Sequence, residues 1–512
     1  MRKLFNTFLF LIIAINSVSL FAQNDELLGI LKQELDYEFN ELKDEEHPPY
    51  FMAFRAVDSY NVNISCTNGA VINYSITENK LLSPEIRVGQ YSFDDTHIDD
   101  KSFPNWSDRV QICVLPYENN QTLINYNIWK VTNELYEQVK DEYITKTERV
   151  EKSDLNEFDD FSKEPTEIYY EPVAIKEVDK TSAELWKVKL SNYTSVFNNS
   201  PEIILVSGSF NYQLTRKYFL STEGTEIIEN QTISVMVFSF VGKSSDDEFI
   251  PYTHVYYATS PDGFPDDKEI LTDLEALRED IISLCKAKKA EPFTGPAILA
   301  PEVTGVFFHE ILGHRIEGHR MELSFNSKTF KEKINKEVIN TDISVISDPT
   351  IAHYEGVELV GHYKYDDQGV KAQKVVNINN GVLENFLMSR KPINGFDKSN
   401  GHGRGIIHSK PVSRQSNLFI SSNNPKSDQY LRKKLIKECK KQKVEYGYYF
   451  KKVAGGYTNT MNFTPDFFNI IPLEVYRIYV DGRPDELVRG VNLIGTPLMD
   501  VQVQLIFINQ IH

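Results

Sequence analysis

Between Pro301 and Gly318 the chain sets two histidines and a glutamate, His309, Glu310 and His314, into a run dominated by Val303, Val306, Phe307, Ile311 and Leu312. Such a stripe belongs on a buried helix, and a carboxylate inside it is costly unless something pairs with it. Any fold for this chain therefore has to give Glu310 a reason to be inside. Two imidazoles beside a carboxylate are the parts of a hydrolytic zinc site. Neutral His nitrogens suit Zn2+, and a nearby Glu takes a proton from water whose pKa the metal lowers to about 7. The plain alternative is one core histidine and one solvent-facing histidine with no metal between them.

The spacing departs from the familiar HExxH arrangement. Histidines four apart stand about 40° apart around a helix, whereas His309 and His314 are five apart and so about 140° apart at 100° per residue. A regular helix through both would not chelate. Gly313 offers a way out: a helix starting near Pro301, a residue favoured at the first helical position, can end at a glycine in the left-handed conformation. His314 then swings back toward the face that carries His309.

The first residues set an address. Met1-Arg2-Lys3 is positive, Leu4 to Ile15 is almost wholly apolar, and small residues follow up to Ala22. This pattern reads as a secretory signal over 1–22, because about 12 apolar residues fall short of the roughly 20 that a membrane span needs. No later segment is apolar enough to span, so a periplasmic or secreted location is expected, without a membrane span in the mature chain. A formal charge of -18 argues against nucleic-acid partners, whose binding rests on Lys and Arg neutralising phosphates. Aromatic residues at 12% and hydrophobic ones at 41% of 512 residues exclude a disordered chain and supply a large core. Cys66, Cys113, Cys285 and Cys439 show no CxxC spacing, and an oxidising compartment allows up to two disulfides among them. Cys285 is in register with Leu274, Leu277 and Ile281 and reads as a core position, while Cys439 sits among Lys437, Lys440 and Lys441 on a helix that reads as exposed.

The organisation is α+β in three regions after the signal: a mixed α/β N-terminal domain over 23–120, a strand-rich central domain with a long helix over 121–290, and a β-rich C-terminal domain over 291–512. A helix is expected over 26–42, an amphipathic one through Ile128, Val131, Leu135, Val139 and Tyr143, and another through Ile270, Leu274, Leu277, Ile281 and Leu284. Strands are expected from Val173 to Tyr257. Asn68-Gly69, Asn380-Gly381 and Asp481-Gly482 mark hairpins, since these pairs accept the positive φ of tight turns. Nine acidic residues between Glu148 and Glu171 read as a solvated linker or exposed loop.

Pro301 to Gly318 resembles the HExxxH signature of the TldD/PmbA family, whose TldD-type members are zinc metallopeptidases. The resemblance continues through Tyr365-Asp366-Asp367-Gln368-Gly369, Asn380-Gly381, Gly401-His402-Gly403-Arg404, Gly455-Gly456, Asp481-Gly482 and Arg489-Gly490, and so covers about residues 290 to 497. It implies a C-terminal metallopeptidase domain in which His309 and His314 hold Zn2+ and Glu310 is the catalytic base. It further implies unfolded or extended peptides as substrates, bound in a narrow channel as an added β-strand, and a homodimer or a heterodimer with a related subunit. His402, Arg404, Gly455 and Gly456 are the candidate substrate-binding positions; for His402 and Arg404 an ordinary loop role stands beside that reading.

One departure concerns the third zinc ligand. In the family it is a cysteine beyond Gly-Thr-Pro-Leu; here Gly495-Thr496-Pro497-Leu498 is present, but no cysteine follows Cys439. A C-terminally truncated or frame-shifted domain is the expectation, with Glu317, His319, His353, His362, His402 or His408 as substitute ligands. The competing reading is a catalytically inactive TldD/PmbA-like subunit that binds peptides or partners a related active one.

Overall fold

The structure, a computed structural model, describes residues 25–98, 110–149, 158–321, 328–461 and 466–496. The expected signal over 1–22 and the last alternating segment beyond Thr496 lie outside the described residues. The fold is α+β. Its first half is built on an eight-stranded sheet whose long members are β1 (Pro49–Thr67), β2 (Ala70–Gln90), β3 (Ile203–Ser221), β4 (Glu226–Lys243) and β5 (Phe249–Ala258). β1 and β2 form a hairpin closed by Asn68 and Gly69, both at positive φ, as the Asn-Gly pair requires. β1 also pairs antiparallel with β3, and β3 with β4. The sheet thus takes strands from both sides of residue 120, and the stretches 23–120 and 121–290 share one hydrogen-bonded ladder.

Alternation along β1 puts its even-numbered residues on one face. Met52, Phe54 and Ala56 pack there with helices α1 (Glu26–Leu42) and α2 (Gln121–Arg149), and farther along the same face Tyr60, Val62 and Ile64 pack with α3 (Lys180–Ser195) and α4 (Asp267–Lys286). Helix α3 falls where only strands were expected. Ala183, Trp186, Leu190 and Tyr193 fall at intervals of three and four and are its buried residues, and Asp179 with Ser182 forms a capping box at its start. The opposite face of β1, from Arg55 to Asn61, looks across a cavity toward the C-terminal half.

That half contains a six-stranded sheet in which β6 (Ala297–Leu299) runs parallel to β10 (Tyr446–Thr458), followed by β11 (Phe468–Tyr479) and β12 (Glu486–Arg489). A four-stranded sheet of β7 (Ile343–Ser347), β8 (Val375–Asn379), β9 (Leu418–Ser422) and the short strand Val382–Leu383 packs into the same apolar cluster. Helix α5 (Pro301–Ile311) lies in that cluster, and α6 (Asp428–Gln442) flanks a smaller one.

Three expectations are corrected here. All four cysteines are free and buried, because each faces a core: Cys66 and Cys285 one beneath α3 and α4, Cys113 the one beneath α1 and α2. Cys439 is fully buried against Leu435 and Ile478, since the lysines around it occupy the other faces of α6. The described part of the acidic stretch is not a solvated linker. Asp160 and Phe161 are buried, with Asp160 2.8 Å from His97 Nδ1 and 2.9 Å from Lys391 Nζ, and the carbonyl of Ser162 accepts from Arg390. Ile168–Tyr170 then adds a parallel strand beside β4. Its carboxylates are thus partly spent on docking the C-terminal half to the sheet.

Candidate metal centre

Helix α5 starts with Pro301 in its first turn and buries Val303, Phe307, Phe308 and Ile311 against β10 and β11. It ends at Ile311, where Leu312 leaves helical geometry at φ -120°, and a 3-10 turn, Gly313–Arg315, follows. The reversal of His314 was expected from a left-handed Gly313, but Gly313 is not among the positive-φ residues; the tightening to 3-10 geometry turns the chain instead. Glycine at 313 leaves room for Gln415, whose Oε1 would lie 1.8 Å from a Cβ there, so a larger residue would displace that side chain. Arg315, 1% exposed, locks the turn: it donates to the Glu310 carbonyl, to Thr458 Oγ1 at 2.7 Å and to the Asp466 carboxylate.

The consequence is convergence. The His309 and His314 rings lie 4.6 Å apart at 79°, and each Nε2 is 4.0 Å from one oxygen of the Glu310 carboxylate. Glu310 is buried beneath them, and its Oε2 has no hydrogen-bond partner among the described residues. Burial pushes the Glu310 carboxyl up, with His314 and Arg315 opposing, and burial pushes the His309 imidazole down, toward the neutral form that ligates.

His314 is oriented from behind. Its Nδ1 lies 3.2 Å from Glu317 Oε1, so Nδ1 is the nitrogen that donates to that carboxylate and Nε2 is the one that faces Glu310. Glu317 is itself buried. Burial would raise its carboxyl, but the His314 hydrogen bond with Arg320, His319 and Arg414 outweighs this and holds it at about 2. It therefore remains an anion at neutral pH, as a carboxylate supporting a ligating imidazole must.

These residues fit a metal ion. One atom from each of His309, Glu310 and His314 lies within 4.8 Å of the others, two nitrogens and a carboxylate oxygen are a zinc-type donor set, and the orphaned Oε2 is the unmet polar group such an ion or its water would satisfy. Gly456 belongs to the same place. A Cβ on it would lie 2.9 Å from Glu310 Cγ and 2.9 Å from Ile470 Cδ1, so only glycine lets β10 run beneath the carboxylate. Gly455 beside it has φ +151°.

The remaining sequence candidates lie elsewhere. His402 is fully buried, with Nδ1 3.0 Å from the Asn400 carbonyl and Nε2 3.0 Å from Ser416 Oγ, and burial pushes it down to about 4. Both nitrogens are occupied in holding its loop, so His402 is not free to touch a ligand. Arg404 does line the cavity, 3.4 Å from Asp367 and 4.1 Å from the centre of the Tyr363 ring. His353 faces Glu358, His362 meets the Pro349 carbonyl, and His408 is exposed. Among the described residues none of these, nor His319, joins the cluster at His309. The supporting roles of Glu317 and Arg315 were not visible beforehand, although a charged residue so close to two ligand-type histidines is a signal for such a role.

Residues 293–502 match the family described as PmbA/TldA metallopeptidase C-terminal domain. That matched C-terminal stretch is a TldD/PmbA-type domain. A metalloprotease of Methanocaldococcus jannaschii is 28% identical over 295 residues, which is 57% of this chain and 59% of that one. A metalloprotease TldD homolog of Buchnera aphidicola is 29% identical over 240 residues, 46% and 45% of the two chains. The matched part is thus less than two thirds of the length of either of these curated relatives. In fold the chain is similar to TldE from Thermococcus kodakarensis, with a TM-score of 0.59 at 14% identity over 92% of each chain. A C-terminal stretch similar to metalloproteases agrees with a His-Glu-His group that fits a metal. No helix among the described residues is long and apolar enough to cross a membrane.

Proposed function

We propose that the chain is a zinc-dependent peptidase acting on unfolded or extended peptides, with His309 and His314 holding the metal and Glu310 serving as the base. The observation that carries this reading is the buried Glu310 carboxylate, set 4.0 Å from both Nε2 atoms with Oε2 unpartnered. A bound zinc ion supplies Lewis acidity toward the scissile carbonyl. Glu310 accepts the proton of the attacking water at Oε2 and returns it to the leaving amine, a transfer its raised carboxyl pKa favours. Glu317 keeps the His314 tautomer fixed throughout.

An extended substrate suits the surroundings. β10 pairs with β6 only at Tyr448–Phe450, and from Gly455 to Thr458 it pairs with β11 alone, so among the described residues that stretch has one side without a strand. A peptide added there would be held by its backbone, with loose sequence preference, next to Gly456 and Glu310. The apolar leader supports a periplasmic or secreted location, and the resemblance to TldD/PmbA proteins supports a homodimer or a pairing with a related subunit.

Hydrolysis of a reduced, unfolded protein before and after a chelator tests the reading. Cleavage that stops with chelation, returns with zinc and is absent in Glu310→Gln supports it. Peptide binding without chelator-sensitive cleavage contradicts it and leaves the inactive, peptide-binding subunit.

A further inference from the structure

Helix α6 carries the opposite sign to the rest of the chain. Its 15 residues include Arg432, Lys433, Lys434, Lys437, Lys440 and Lys441, and Lys443 stands at its C-cap, in a chain whose formal charge is -18. Leu431, Leu435 and Cys439 are its buried residues, and the last two pack with Ile478. At 100° per residue, Lys433, Lys437, Lys440 and Lys441 fall within about 100° of one another on the side away from these three. All four are exposed, so the helix presents one basic stripe to solvent.

The pairings leave most of this stripe unanswered. Asp485 takes Arg432, and Glu438 serves both Lys434 at 3.8 Å and Lys441 at 3.6 Å. Asp428 sits in the first turn of the helix, before the stripe begins. Beyond the C-cap, Asp481 and Glu445 are answered by Arg483, at 3.0 Å and 4.0 Å. Among the described residues Lys433, Lys437, Lys440 and Lys443 have no carboxylate within ion-pairing distance. Lysine ammoniums are compact point charges on flexible stems, without the planar fork by which arginine fixes a single carboxylate. The cores of protein interfaces are depleted in lysine and supply apolar anchors, whereas the only large exposed apolar side chain on this helix is Tyr430, 46% exposed. A convex stripe of lysines fits instead a broad, fluid surface whose phosphates gather under the charges.

We infer that α6 docks the protein on the surface of an anionic phospholipid bilayer through Lys433, Lys437, Lys440 and Lys441, with Tyr430 at the level of the headgroups. The contact is peripheral, because the apolar face of α6 stays in its own core against β10 and β6. Each lysine near such a surface is worth about five-fold in binding, and the field falls off within a Debye length of about 8 Å, so acids farther than that from the stripe oppose it little. The apolar leader supports a location where such a surface is at hand. Neither the metal nor cleavage enters, so this inference is independent of the peptidase reading.

The test uses the chain without residues 1–22, so that the leader cannot itself hold a vesicle, sedimented with vesicles of phosphatidylcholine alone or with about 30% phosphatidylglycerol. About half of the protein should sediment with the anionic vesicles at about 1 mM lipid and about 50 mM salt, and little with the neutral vesicles or at about 0.5 M salt. Lys433→Gln with Lys437→Gln should weaken the partition about twenty-fold, whereas Lys433→Arg with Lys437→Arg, which keeps the charge, should retain it. Removing the same charge from exposed positions on α2 and α3, by Lys130→Gln with Lys180→Gln, should change it little. Equal sedimentation with the two vesicles overturns the inference, as does absence of binding to the anionic ones, binding indifferent to Lys433 and Lys437, or tighter capture of a single-stranded oligonucleotide through the same lysines.

Discussion

Replacing Glu310 by Gln should abolish cleavage and, at the same time, stabilise the metal-free protein above neutral pH. The Glu310 carboxylate is buried with Oε2 unpartnered, and an unsatisfied buried polar group costs about 1–3 kcal/mol, more when charged. The amide removes the charge but remains polar, which leaves a net gain of about 1 kcal/mol. For a cooperative unit of about 200 residues that is an upward shift of about 2 °C in the unfolding midpoint. The pH dependence fixes the sign. Burial raises the carboxyl above its ordinary 4.5, so the folded chain holds that proton more tightly than the unfolded one. Wild-type Glu310 therefore favours folding below about pH 4.5, and that contribution is lost as pH rises through the folded value. The advantage of Glu310→Gln should be present at pH 8 and absent at pH 4, read by differential scanning fluorimetry in chelator. A Gln variant less stable than wild type at pH 8, or a gain of the same size at both pH values, would refute the reasoning.

Other perturbations probe the surroundings. Glu317→Gln leaves the first-contact residues intact but weakens the support of His314, so zinc affinity should fall about 10- to 100-fold in a competition titration with a chromophoric chelator. Gly456→Ala sets a Cβ 2.9 Å from Glu310 Cγ and should lower kcat with little change in far-UV circular dichroism. Because Cys66, Cys113, Cys285 and Cys439 are buried and free, a thiol reagent should find none of them in the native protein and all four after denaturation without reductant.

Much of this was legible because the signals were local. Asn68-Gly69 and Asn380-Gly381 dictate positive φ by their own chemistry, and the spacing of Ile270, Leu274, Leu277 and Ile281 fixes a helix face without help from the rest of the chain. What could not be read depends on partners far away in sequence. Helix α3 carries local signals, the Asp179–Ser182 capping box and the three- and four-residue spacing of Ala183, Trp186, Leu190 and Tyr193, but the strand preference of Trp186 and Tyr193 masks them until packing under Phe210 and Phe238 is seen. Asp160 looks like one more solvated acid until His97 and Lys391 arrive from 63 and 231 residues away. The site divides the same way. His309, Glu310 and His314 sit in one short segment and were legible as a set. The neighbour that Gly313 leaves room for is Gln415, the locking of the turn lies in Thr458 and Asp466, and the occupation of His402 lies in Ser416.

The central claim is that His309 and His314 hold a metal ion over Glu310. Calorimetric titration of the metal-free protein with zinc, beside His309→Ala and His314→Ala, tests it most directly. The account predicts one equivalent of zinc bound by wild type, with its affinity lost in both variants. Stoichiometric zinc retained after either substitution, or no zinc bound by wild type, would contradict it.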